Sequence, residues 1–233
     1  MKLVGVLGGM GPEATVLLMQ KVIALRVGGG DGDHIPLLVH QNPQVPSRIA
    51  ALIEGTGESP APVLAEMARA LEAGGAKALA MPCNTAHAYG DAVQSAVAVP
   101  FFDMIALSTA ALAAKGRRIG MLASPAVHRA RVFDAAFAKA GLAMVLPEDE
   151  APVLDLIRAV KAGRTGRAEG AALAGLAEGL VAQGADHIAI ACTELSLLTP
   201  HLPEGLQWTD TLDCLAAAIV RFSLTGDLPA ASD

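Results

Sequence analysis

The sequence predicts an α/β fold of two similar three-layer αβα lobes. Their sheets are mainly parallel, a pseudo-twofold axis relates them, and the ligand site lies between them. Three observations predict it. Apolar runs of strand length alternate with helical patterns along the whole chain, which implies parallel sheets covered on both faces. Two segments repeat: Leu71/Leu180, Ala73/Ala182, Gly75/Gly184, Ala76/Ala185, Ala80/Ala189 and Cys83/Cys192 each stand 109 positions apart. Each copy ends on a cysteine where an apolar strand runs out, and open α/β sheets bind ligands beyond the carboxyl ends of their strands.

In chain order, strand-like runs fall at residues 3–7, 36–40, 78–81, 100–102, 118–122, 143–146, 187–191 and 206–209. Helical patterns lie between them at 13–27, 48–54, 60–73, 88–96, 105–114, 126–140, 153–162, 168–183 and 212–224. The repeat reaches further than the cysteines. Leu3–Gly8 resembles Arg118–Ala123, and Phe101–Met104 opens a helix much as Gln207–Asp210 does. The halves divide without a flexible linker, giving a first lobe at 1–113 and a second at 114–233, with a C-terminal helix near 210–226 able to pack back on the first lobe.

Composition narrows the function classes. The 233 residues are 53% hydrophobic but 3% aromatic, so the core is aliphatic. No uninterrupted apolar run approaches the roughly 18 residues of a membrane span, and the glycine-broken N-terminus reads as a buried strand. A cytoplasmic protein with no membrane partner is expected. The net charge of −6 and the lack of a basic stripe argue against nucleic acid. Three cysteines without a secretion signal argue against a disulfide framework. No zinc-like spacing occurs, so no metal site is expected.

The residues that can carry chemistry cluster around the repeated cysteines. Cys83 sits in Met81-Pro82-Cys83-Asn84-Thr85-Ala86-His87, and Cys192 in Ala191-Cys192-Thr193-Glu194. A thiol at a strand end before a helix can be held as thiolate by the helix N-terminus, and Asn84, Thr85 and Thr193 offer donors beside each sulfur. One buried cysteine is usually a small core hydrophobe; two in duplicated polar settings point to function. Cys214, in an alanine-rich helix with no counterpart, is expected in the core. Two thiols facing one cleft suit removal of a proton from one face of a carbon and its return to the other.

Gly9-x-Gly11-x-x-Ala14 formally meets the dinucleotide fingerprint, but the second strand closes on His40-Gln41-Asn42 without the acidic residue that binds ribose. A tight loop presenting N–H groups to a small carboxylate fits better. Arg48, after a proline-punctuated segment, suits bidentate grip of a carboxylate. Lys161 is either a second such cation or a plain helix-terminal charge. His87 could orient a thiol or a backbone carbonyl, and Glu194 could tune Cys192 or accept an ammonium group.

Taken together, Gly8–Thr15, Asn42–Arg48, Pro82–His87, Val160–Gly163 and Cys192–Glu194 resemble the aspartate/glutamate racemase family, in its cofactor-independent aspartate racemase branch. The resemblance spans nearly the whole chain. It implies inversion at Cα of aspartate, or of a related amino acid such as glutamate, without pyridoxal phosphate or any other cofactor. It implies Cys83 and Cys192 as the two catalytic bases, Cys192 acting on the L-enantiomer and Cys83 on the D-enantiomer. It also implies substrate contacts from Met10, Arg48, Asn84, Thr85, Lys161 and Thr193, and a homodimer. One stretch departs from the pattern: where relatives carry a threonine-rich loop, this chain has Ser124-Pro125-Ala126-Val127. Ser124 keeps a hydroxyl for the substrate, whereas Val127 cannot donate. Maleate isomerases and decarboxylase-like relatives are the alternative enzymes, a non-catalytic dicarboxylate or amino-acid binding module the alternative class, and an NAD enzyme a distant fourth.

Overall fold

In the computed structural model, residues 1–26 and 28–228 are described. Val27, where the first expected helix ends, and the last five residues of the second half lie outside them. The first half runs β1 (Val4–Gly8), α1 (Pro12–Leu25), β2 (Leu37–Gln41), α2 (Ala61–Ala73), β3 (Ala78–Ala80), α3 (Gly90–Gln94) and α4 (Met104–Ala113). The second runs β4 (Arg118–Ala123), α5 (Pro125–Arg129), α6 (Asp134–Ala140), β5 (Ala143–Val145), α7 (Ala151–Lys161), α8 (Arg167–Ala182), β6 (His187–Ala191), α9 (Thr193–Ser196), β7 (Trp208–Asp210) and α10 (Thr211–Thr225). The sheets are ordered β2-β1-β3 and β5-β4-β6-β7, all pairs parallel. A single bridge from Leu79 to Phe101 stands where the first sheet would hold a fourth strand.

The repeat is visible in the packing. Gly5 opposes Leu79 in the first sheet as Gly120 opposes Ile188 in the second. A Cβ on Gly5 would lie 2.8–3.1 Å from Leu79, Ala76 and Leu71, and one on Gly120 2.6–3.0 Å from Ile188, Ala185 and Leu180. These neighbours are the pairs 109 positions apart, so α2 and α8 approach their sheets equally closely. The turn glycines behave alike, with φ of 98° at Gly75 and 91° at Gly184, backbone that a side chain rarely adopts.

Each sheet is covered on both faces. Leu7 and Leu79 face α2, while Val4, Val6, Ala78 and Ala80 face Leu18 and Val22 of α1. Ile188 and Ile190 meet α7 and α8, while Ile119, Met121 and Ala189 meet Phe137 of α6. Two helices cross over. Leu212, Leu215, Ile219 and Phe222 of α10 bury against the first sheet, and Ile105 and Leu112 of α4 against the second. Each such fully buried side chain contributes roughly 1.5–3 kcal/mol, so the two lobes are locked by reciprocal apolar contact.

Several expected elements change. The helix expected at 126–140 is two, because Arg131 adopts φ 55° between α5 and α6. The segment at 48–54 is a π-type turn at Ala50–Glu54. A 3-10 turn at Thr85–Tyr89 precedes α3. The match of Phe101–Met104 to Gln207–Asp210 is off by one residue. Asp103 accepts the Ile105 and Ala106 N–H groups at 2.8 and 3.1 Å and Asp210 accepts that of Leu212 at 2.8 Å, so the two cap carboxylates are the equivalent positions. Cys214 is half-buried on α10 rather than in the core.

Candidate active site

The strand ends converge on one cavity of about 70 Å3 between the lobes. Met10 reaches it from beyond β1, Arg48 from beyond β2, Cys83 and Thr85 from beyond β3, and Ser124 from the end of β4. Lys161 comes from the last turn of α7, and Cys192 and Glu194 from the junction of β6 and α9. The two sulfurs thus line the same small space, each otherwise packed at the edge of its own lobe's core. Ser47, Ile49 and Ile157 complete the wall. Ser47 lies within the Asn42–Arg48 segment without being singled out there, and no signal marks Ile49 or Ile157 in the sequence.

Gly9, after β1, serves packing rather than anion binding. Gly9 has φ 96°, a Cβ there would stand 2.4 Å from the Asn42 carbonyl, and its N–H is taken by Thr15 Oγ1 at 2.9 Å. The expectation of a carboxylate-binding loop is corrected at this N–H. What the turn does is bring Met10, 3% exposed, into the cavity wall.

Charge is arranged unevenly about the two thiols. Glu194 bridges: its Oε1 lies 2.8 Å from Lys161 Nζ and its Oε2 accepts from Cys192 Sγ at 3.2 Å. Burial pushes the Cys192 thiol well above its ordinary range. The Glu194 charge and hydrogen bond push it further, and the N–H groups of Glu194 and Leu195 do not overcome them. Burial also raises Cys83, but the Arg48 cation pulls it down, with weaker help from the Ala86 N–H and Lys161 against the Glu194 charge. The expectation that helix N-termini hold these sulfurs as thiolates is therefore corrected: α9 is one turn long, and desolvation outweighs it. Burial works against the Lys161 charge, yet the Glu194 carboxylate outweighs it and raises the lysine, which is a cation.

The other expected site residues fall into two groups. Arg48 lines the cavity, with Nη1 donating to the Val45 and Pro46 carbonyls at 3.2 and 3.0 Å. Ser124 lines it while its Oγ accepts the Ala126 N–H at 3.3 Å to cap α5. Asn84 and Thr193 are buried but outside the lining residues. Asn84 was expected to donate beside the sulfur; instead its Nδ2 donates to Thr211 Oγ1 at 3.0 Å, because that hydroxyl lies directly across the lobe junction.

His87 braces Cys83 from behind. Its Nδ1 lies 2.8 Å from the Cys83 carbonyl, which can only accept, so that nitrogen carries the proton; Nε2 then accepts the Met104 N–H at 3.2 Å. Burial lowers its pKa and keeps it neutral, and its ring stacks on Phe101 with centroids 5.4 Å apart. Ser196 holds the same place after Cys192 that His87 holds after Cys83. Its Oγ donates to Asp210 Oδ1 at 2.8 Å. Each cysteine loop is thereby tied to the N-terminus of a crossover helix, α4 or α10. Sequence reading missed Ser196 and Asp210, whose partnership spans 14 positions.

Among the described residues no helix is long and apolar enough to cross a membrane, and no group of three or more His, Cys, Asp or Glu side chains could hold a metal ion.

Comparison with known proteins agrees with this geometry. The broad specificity amino-acid racemase RacX of Bacillus subtilis is 26% identical over 223 residues, covering 94% of this chain and 96% of RacX. An aspartate racemase of Picrophilus torridus superposes with a TM-score of 0.86 at 26% identity, covering 96% of this chain and 94% of that one. Glutamate racemase of Francisella tularensis, crystallised with D-glutamate, shares the fold with a TM-score of 0.65 at 18% identity, over 100% of this chain and 84% of that one. The family profile described as Asp/Glu/hydantoin racemase matches residues 7–220. The chain belongs to the Asp/Glu/hydantoin racemase family and is an isomerase of the racemase kind.

Proposed function

We propose that this enzyme inverts Cα of a free amino acid with Cys83 and Cys192 as paired acid and base, needing no pyridoxal phosphate. The observation that carries the reading is that both sulfurs line one cavity that also holds Arg48, Lys161 and Glu194. A thiolate on one side takes the Cα proton, and the electron pair moves into the substrate carboxylate. The thiol on the other side gives its proton to the opposite face and is left as the thiolate. Atoms and charge balance, and the reverse reaction exchanges the two roles. The scheme needs one sulfur charged and one protonated. Burial raises both thiols, but Arg48 offsets part of the rise at Cys83 while Glu194 adds to it at Cys192, so Cys83 is the readier thiolate and Cys192 the resting acid.

The remaining roles follow from charge. The Cα proton is far less acidic than a thiol, so the doubly anionic carboxylate must be stabilised by groups already in place. Arg48 supplies the cation, with Thr85 and Ser124 as neutral donors, while Met10 closes the apolar side. Glu194, bridging Lys161 and Cys192, accepts from the substrate ammonium. Asn84 Oδ1, buried without a hydrogen-bond partner among the described residues, is a further acceptor. Thr193, buried directly after Cys192, is the proposed donor beside that sulfur. Aspartate is the proposed substrate, supported by the small cavity and its two cations, with glutamate next.

The unit is further proposed to be a cytoplasmic homodimer of subunits with lobes at 1–113 and 114–233, binding neither nucleic acid nor membrane. Exposed Val16 and Ile23, two turns apart on α1, support the dimer. The test is chiral analysis of L- and D-aspartate, glutamate, alanine and lysine incubated with the purified protein in deuterium oxide, without added cofactor. Inverted product carrying deuterium at Cα is expected. An unchanged enantiomer ratio for every amino acid would overturn the reading.

A further inference from the structure

We propose that Thr211 is a positioning residue that sets the spacing of the two cysteine loops and fixes the orientation of the Asn84 amide. The inference rests on the two-thiol reading of the cavity and deepens it.

Thr211 is fully buried at the first position of α10, on the junction between the lobes. A hydroxyl has one proton to give. Here Oγ1 lies 3.1 Å from the Ile190 carbonyl, which can only accept, so the proton goes there. The same oxygen must then accept from Asn84, whose Nδ2 is 3.0 Å away. The amide cannot be turned over without setting two acceptors against each other, so Oδ1 is held as the buried, unpartnered acceptor. Asn84 follows Cys83 directly, and Ile190 stands two residues before Cys192. One hydroxyl therefore joins the loop carrying one sulfur to the strand carrying the other. The neighbouring Asp210 holds α9 through Ser196, so this dipeptide touches both sides of the Cys192 turn.

A merely structural threonine would lower stability without changing how a bound intermediate partitions. A positioning one does more. Once one thiol has taken the Cα proton, the intermediate either receives a proton on the opposite face, giving inversion, or takes back a solvent-exchanged deuteron on the same face. Moving the second sulfur away favours the latter.

The experiment follows inversion and deuterium uptake into recovered starting enantiomer, in deuterium oxide, for wild type, Thr211→Val and Thr211→Ser. The substrate is whichever of aspartate, glutamate, alanine and lysine the wild type inverts. Thr211→Val should remain folded by thermal melt, lose inversion by up to about a hundredfold, the scale on which a misplacement of about 1 Å slows a reaction, and show a raised ratio of same-face exchange to inversion. Thr211→Ser should restore that ratio. Thr211→Ala, which removes the hydroxyl without adding bulk, replaces valine if the valine variant does not fold. A folded hydroxyl-free variant with the wild-type ratio overturns the proposal, as does failure of both to fold, which makes Thr211 purely structural. Absence of any Cα exchange in the wild type would instead overturn the two-thiol reading itself.

Discussion

Replacing Glu194 by glutamine tests the proposal that two chemically identical thiols are kept in different states. The Cys192 sulfur lies 3.2 Å from Glu194 Oε2. Two unit charges at that distance interact by roughly 5 kcal/mol at an effective dielectric constant of about 20. The Lys161 ammonium, 2.8 Å from the other carboxylate oxygen, cancels much of this. What remains is of the order of one hydrogen bond to a charged group, about 1.5–3 kcal/mol, or about one to two pKa units. The sign is fixed by the chemistry. The carboxylate accepts from the S–H and repels the thiolate, so its loss lowers the Cys192 pKa. The assay is a spectroscopic thiolate titration in a Cys83→Ser, Cys214→Ser background. Cys214, pushed up to about 11 mainly by burial, would otherwise overlap. The midpoint should fall by about one to two units on adding Glu194→Gln. In the enzyme with all cysteines present, kcat for the direction that begins at Cys192 should rise at lower pH relative to kcat for the reverse, with KM moving in proportion because the enantiomers are equal in free energy. An unmoved or rising midpoint would show that the Glu194 carboxylate does not hold the proton on Cys192.

Three further outcomes follow from the packing. Burial raises Asp210 to about 6, with Lys21 opposing and Asp213 adding to the shift. The folded state thus holds that proton more tightly than the unfolded one, where the pKa is about 3.9, and stability is lost as pH rises through this window. The stability of wild type minus that of Asp210→Asn should fall by about 3 kcal/mol between pH 4 and 7 and stay level above; a difference independent of pH in denaturant titrations would contradict it. Gly9→Ala places a methyl against the Asn42 carbonyl at φ 96°, and should cost about 1–3 kcal/mol with a matching loss of activity through Met10. A denaturation midpoint equal to wild type would show that the loop yields freely. Val16→Glu with Ile23→Glu should convert the proposed dimer to monomer in sedimentation, and an unchanged mass would place any interface elsewhere.

What the sequence reveals of this molecule depends on how local each signal is. The paired cysteines are legible because a helix end, a turn glycine and a short apolar strand each leave a mark within a dozen residues. Gly75 and Gly184 are forced by positive φ, and Gly5 and Gly120 by close helix approach. The crossover of α4 and α10 is harder to read, since an apolar helix face does not say which sheet it covers. Asn84 illustrates the limit for the site. Its neighbour Cys83 marks it as a candidate donor to substrate, but its actual partner stands 127 positions away. Thr211 carries no motif, and only the folded chain brings its hydroxyl to the Cys83 loop and to the strand that leads into Cys192. The direction of the thiol pKa values is misread for a similar reason: a short helix following a cysteine is visible in sequence, while the burial that overrides its dipole is not.

In the proposed mechanism two sulfurs act from opposite sides of one bound molecule. Its most direct test is proton NMR in deuterium oxide of Cys83→Ser and Cys192→Ser, each with separate L- and D-enantiomers of the substrate. Neither variant should invert either enantiomer, and any residual Cα exchange should be confined to opposite enantiomers in the two variants. A variant lacking either sulfur that still inverts near the wild-type rate would contradict the account.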